Sequence, residues 1–114
     1  MNSVGLVIYP AADLAQSTKY FATLLDTQPY AESGYYVGFK AGDVEIGLVP
    51  QAAHRLSGAL AYVDVKDIRA TVATLLAAGA EKVQDVTDVA NGLLVASVKA
   101  PDGNTLGLRQ FPDV

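Results

Sequence analysis

The residues of this chain suited to chemistry are few. It has one histidine, His54, and no cysteine. Thiolate nucleophiles, disulfides and cysteine-held zinc are therefore excluded together. His54 stands in PQAAHRLSG (50–58) with no serine and acid placed to complete a triad, and neither Gly-x-Ser-x-Gly nor a glycine-rich phosphate loop occurs. It is expected to be an exposed loop residue. What remains is a carboxylate, a phenol and a guanidinium on three short apolar segments: Glu45 in DVEIGLV, Tyr62 in ALAYVDV and Arg109 in NTLGLRQF. A carboxylate acts as a general base where desolvation raises its pKa. All three groups suit recognition of a polar ligand with an organic body. Tyr35, Tyr36 and Phe39 crowd into GYYVGFK. In a strand, alternation sends Tyr35 and Phe39 to one face and Tyr36 to the other.

The elements that must position these groups can be read along the chain. SVGLVIY (3–9) is an apolar strand stopped by Pro10. ADLAQSTKYFATLLD carries a helical stripe of Leu14, Phe21, Leu24 and Leu25, with Asp13 and Gln16 spaced as a capping box, and Pro29 ends the segment. PYAES is a weak strand, GYYVGFK and DVEIGLV are stronger, and AGD makes the tight turn between those two, with Gly42 free to take positive φ. Residues 51–58 are a connector. The order then restarts. ALAYVDV is a strand, and KDIRATVATLLAAG is a helix with Ile68, Val72, Leu75 and Leu76 on one face and Gly79 at its C-terminal end. EKVQDVT, GLLVASVKA and NTLGLRQF are strands, the last two joined by the turn PDGN. The result is βαβββ over 1–50 and again over 59–114, within one domain. Leu6 falls on Leu60, Asp13-Leu14 on Asp67-Ile68, and FATLL (21–25) resembles VATLL (72–76).

Composition narrows the class. At 114 residues, 51% hydrophobic and 18% charged, the chain is globular. A net charge of −4 with eight scattered basic residues leaves no footprint for nucleic acid. The N-terminal segment lacks a basic leader, and no run approaches the ~20 apolar residues of a membrane span. A cytoplasmic protein with no nucleic-acid and no membrane partner is expected.

The paired βαβββ, the helix from Asp67 to Gly79 and the PDGNTLGLRQ ending resemble the vicinal oxygen chelate superfamily, which includes glyoxalase I, extradiol dioxygenases and bleomycin-resistance proteins. The resemblance covers nearly the whole chain. It implies an α+β fold in which two βαβββ units form a curved mixed β-sheet cup around a small-molecule cavity, and commonly a homodimer. Metal enzymes of that family place ligands in the first and fourth strands of each unit. Those places here are Leu6 and Gly47, then Leu60 and Gly107. None carries a donor side chain, whereas catalytic zinc needs about three protein ligands. No metal and no cofactor are expected.

Strand parity from these places selects Ile8, Glu45 and Val49, then Tyr62, Asp64, Thr105 and Arg109 as sharing the cavity wall. The expected ligand-binding residues are Glu45, Tyr62 and Arg109, joined by Tyr35, Tyr36 and Phe39 from whichever face of their strand lines the cavity. Glu45 and Arg109 have two other fates: an ion pair with each other, or strand ends in solvent. The expected function is metal-free binding of a small organic ligand, sequestering an antibiotic or similar compound. The alternatives are a lyase, isomerase or dioxygenase-like enzyme with non-standard active-site residues, and an interaction module whose cup is filled by its own tyrosines.

Overall fold

The computed structural model describes residues 1–54 and 56–113; the side chain of His54, and with it the expected exposure of that residue, lies outside the described residues. The chain divides into two compact units, Gly5–Ala61 and Tyr62–Val114 with Met1–Val4. Each is a mixed four-stranded arrangement with a helix, and together they give the α+β fold of glyoxalase/bleomycin-resistance-like proteins.

In the first unit the strands are β1 (Ser3–Ala11), β2 (Ala31–Glu32), β3 (Val37–Ala41) and β4 (Val44–Pro50), in spatial order β2-β3-β4-β1. β1 runs parallel to β4, which pairs antiparallel with β3 across the Gly42-Asp43 turn. Gly42 has φ 66°, the conformation that the hairpin needs and that a side chain would resist. Helix α1 (Leu14–Leu25) starts at Asp13, whose Oδ1 accepts from the N–H of Gln16 at 3.0 Å. It ends at Asp26 in the left-handed region, before Pro29 is reached. Leu14, Phe21, Ala22 and Leu25 pack on Val37, Phe39 and Leu48, with Tyr9 and Phe21 rings 4.9 Å apart. Leu24 does not share that stripe and is 76% exposed. One residue before Leu25 is about 100° around the helix.

Two further expectations change here. Pro10 does not stop β1, which continues to Ala11 and pairs Pro10 with Val49. Extended backbone accepts the φ of proline, and the ladder ends beside a second proline, Pro50. Tyr35 and Tyr36 precede β3 instead of lying in it, because the segment from Ser33 to Tyr36 folds on itself: the Ser33 N–H donates to the Tyr36 carbonyl at 2.9 Å. After β4, Gln51–His54 form a short helix, α2, inside the expected connector.

In the second unit the order is β5 (Leu60–Asp64), β8 (Thr105–Gln110), β7 (Leu93–Lys99), β6 (Glu81–Ala90). β5 is parallel to β8, and the other pairs are antiparallel. This repeats the connectivity of the first unit. Helix α3 (Ile68–Ala77) is capped by Asp67, whose Oδ1 accepts from the N–H of Ala70 at 3.1 Å, and Gly79 follows its end at φ 110°. Ile68, Val72, Leu75 and Leu76 pack on Val63, Leu94, Ala96, Val98 and Leu108. β6 is longer than expected, exposed almost throughout, and its register against β7 shifts three times.

Among the described residues no helix is long and apolar enough to cross a membrane.

Candidate functional site

In both units one strand face is taken by the helix. The candidate polar groups lie on the other face. In the first unit the hairpin register fixes its composition. Counting outward from the Gly42-Asp43 turn, Lys40 stands opposite Glu45, and Gly38 opposite Gly47. On the parallel side Leu6 pairs with Glu45 and Ile8 with Gly47. Cross-strand partners share a face, so Glu45 and Lys40 flank a bare patch of two adjacent glycines.

The patch is covered by tyrosine side chains that come from outside the strands. A Cβ at Gly38 would lie 2.8–2.9 Å from Cε1, Cζ and Oη of Tyr30, so that ring rests against the glycine backbone. A Cβ at Gly47 would lie 2.6 Å from Ile8 Cδ1 and 2.8 Å from the Tyr36 hydroxyl. The glycines are there because rings occupy the space. The Tyr30 backbone N–H donates to the Gly38 carbonyl at 2.9 Å, and its hydroxyl donates to Glu45 Oε2 at 3.0 Å. Lys40 Nζ stands 3.4 Å from Glu45 Oε1 and 4.9 Å from the Tyr30 ring centroid, completing a carboxylate–phenol–ammonium cluster. Partial burial, then Tyr36 and the Glu45 carboxylate, push the Tyr30 phenol well above its ordinary pKa, so it holds its proton.

In the second unit the corresponding face carries Tyr62, Gly107, Ser97 and Gln84 as one register row, and Asp64, Arg109, Val95 and Thr87 as the next. Arg109 is 5% exposed. Its Nε donates to Asp64 Oδ1 at 2.6 Å and its Nη2 to Oδ2 at 3.0 Å, a bidentate pair. The Phe111 ring lies 4.5 Å from the guanidinium carbon. Burial raises the Tyr62 phenol pKa.

Of the residues expected at a ligand site, Glu45, Tyr36, Tyr62 and Arg109 lie on these faces. Phe39 does not: it is fully buried on the helix side, stacked towards Phe21 at 6.4 Å. Tyr35 projects into solvent at 74% exposure. Sequence reasoning passed over Tyr30 and Lys40, and used Asp64 for parity alone. Lys40 was findable, since a two-residue turn dictates that it faces Glu45. Tyr30 had no periodic signal, because it lies in a loop.

The residues present do not fit the family's metal. Leu6 and Leu60 offer only hydrocarbon, and the space above Gly47 belongs to Ile8 and Tyr36. Among the described residues no group of three His, Cys, Asp or Glu side chains converges.

Adding a side chain at Gly47 tests this packing. Gly47→Ala is expected to cost about 1–3 kcal/mol in urea unfolding, because Ile8 and the Tyr36 ring must both move. The share due to Tyr36 should vanish in a Tyr36→Ala background while that due to Ile8 stays, and an unchanged cost would refute the seated ring.

The Glyoxalase-like domain family matches residues 6–108. The chain belongs to that family. Solved structures with the same fold include a hypothetical protein from Bacillus halodurans C-125 (TM-score 0.81, 11% identity, covering 99% of this chain and 96% of that one). Methylmalonyl-CoA epimerase from Mycobacterium tuberculosis aligns with TM-score 0.75 at 14% identity, covering 97% and 89% of the two chains. A glyoxalase/bleomycin resistance protein/dioxygenase superfamily member from Vibrio splendidus 12B01 aligns with TM-score 0.73 at 19% identity, covering 97% and 100%. At these identities the likeness is one of fold. No curated protein matches the chain.

Proposed function

We propose that the protein binds a small organic ligand without a metal, in the manner of the family's resistance proteins, as a cytoplasmic homodimer. The observation behind this is the placement of polar groups. On strand faces that the helices leave uncovered, the first unit carries a fixed carboxylate cluster at Glu45 beside a glycine floor, and the second a fixed guanidinium pair at Arg109 beside Tyr62. A few immobilised polar groups give orientation and specificity to ligand binding. Thermal-shift screening against aromatic and glycopeptide antibiotics and small organic acids tests it. A compound at one hundred times its dissociation constant adds about 2.7 kcal/mol, and for a domain of this size that raises Tm by roughly 10 °C. Tyr62→Ala or Glu45→Gln should reduce the shift. A panel without effect defeats the proposal.

The Glu45 cluster favours a second function, proton transfer next to a carbonyl. The carboxylate is fixed by a phenol and an ammonium, and among the structural neighbours is a methylmalonyl-CoA epimerase. Deuterium exchange from solvent into a carbonyl substrate, lost in Glu45→Gln, would support the enzyme over the binder.

A further inference from the structure

The first unit already shows what its uncovered face accepts, because one of its own side chains occupies it. Tyr30 reaches in from the loop after α1. Its ring lies on Gly38, its hydroxyl donates to Glu45, and the Lys40 ammonium stands over its ring. Every contact a bound phenol needs is present: a flat floor without Cβ atoms, a charged acceptor for the hydroxyl, and a cation for the π face. The floor is wider than one ring, since Gly47 lies directly across from Gly38 and is covered by Tyr36. Tyr30 itself is only half-buried, at 50% exposure. Its hydroxyl bond to Glu45, a side-chain bond with Tyr36 and the cation contact hold its ring at a half-open surface, and rotation about its side-chain bonds frees the seat while its backbone stays paired to Gly38.

We propose that Tyr30 is a built-in stand-in for the ligand, and that the Gly38–Gly47 floor binds planar, hydroxylated aromatic compounds that displace the Tyr30 ring and give their hydroxyl to Glu45. This rests on the small-molecule-binding function and names its ligand class. The apparent affinity is the affinity of the open seat reduced by the fraction of molecules in which Tyr30 has left it. Weakening the hold of Tyr30 therefore tightens ligand binding, the reverse of what removing a ligand contact would do.

The probe is 2-naphthol, titrated into ¹⁵N-labelled full-length protein and followed through the backbone amides. In the wild type the Gly38 and Gly47 amides should shift. Tyr30→Phe loses the hydroxyl that competes for Glu45 and should bind 2-naphthol about fivefold tighter, the worth of one ordinary hydrogen bond. Gly38→Ala raises a methyl from the floor and should weaken binding at least tenfold. Naphthalene, lacking the hydroxyl, should bind more weakly than 2-naphthol to both the wild type and Tyr30→Phe. Equal or weaker binding to Tyr30→Phe, whose amide spectrum reports its folding, overturns the inference, as do unmoved Gly38 and Gly47 amides. Compounds that shift Tyr62, Ser97 and Arg109 alone would overturn it and leave the small-molecule-binding function standing. A panel that shifts neither set removes both.

Discussion

Phe39→Ala is expected to lower the unfolding free energy by about 4 kcal/mol, a large part of the 5–15 kcal/mol typical of a domain. Phe39 has no exposed surface and sits between β3 and α1, against Phe21 and the Val37–Leu48 cluster. Removing it withdraws the apolar surface it buries and leaves a cavity that a three-sided core closes poorly. Phe39→Leu keeps most of the volume and should cost about 1–2 kcal/mol. Urea unfolding gives both values. The pair also separates core from ligand surface: Phe39→Leu should leave 2-naphthol binding unchanged, since its side chain and the glycine floor lie on opposite faces. A loss below about 1 kcal/mol for the alanine variant would contradict the helix-side placement.

The second large effect is expected at Asp64. Asp64→Asn keeps the shape but removes the charge that two Arg109 nitrogens bind. A nearly buried guanidinium that loses its carboxylate typically costs 3–5 kcal/mol, and the partial solvation of Asp64 places this case near 3. Tm should fall by roughly 10 °C. The double replacement Asp64→Leu with Arg109→Met removes both charges and should cost less than Asp64→Asn alone, because no buried guanidinium then loses its bidentate carboxylate. If the double variant is the less stable, the pair itself contributes net stability and this account of Arg109 is wrong.

The repeat of two βαβββ units, the face of the second helix, most of the first helix's stripe and the Asp13 cap were legible because each depends on local periodicity or on one side chain bonding three residues ahead. Pro10 misled because a proline's missing N–H was given more weight than its extended φ. Leu24 misled because spacing in sequence was not converted into angle around the helix. Glu45, Tyr62 and Arg109 could be placed by parity, which is strict once a strand is correctly bounded. Parity failed for Tyr35 and Phe39 for two separate reasons: the strand begins two residues after Tyr35, and the helix chose the Phe39 face. Tyr30 illustrates the harder limit. Its contact with Glu45 arises from loop geometry and from the lack of a side chain on Gly38, and no periodic signal encodes either one. The trace left in the sequence is the facing pair of glycines, countable from the turn.

The irregular outer strand of the second unit has a bearing on solubility. β6 pairs with β7 and forms the end of its unit's strand order, with Val83 and Val89 open to water. A straight ten-residue border of this kind would be a template for intermolecular zippering. Its three slips in register, together with Lys82, Asp85 and Asp88 along its length, break that template into pieces too short and too charged for a foreign strand to follow. The register shifts thus work against fibril growth, and straightening them by deletion would exchange an edge that resists foreign strands for a sticky one.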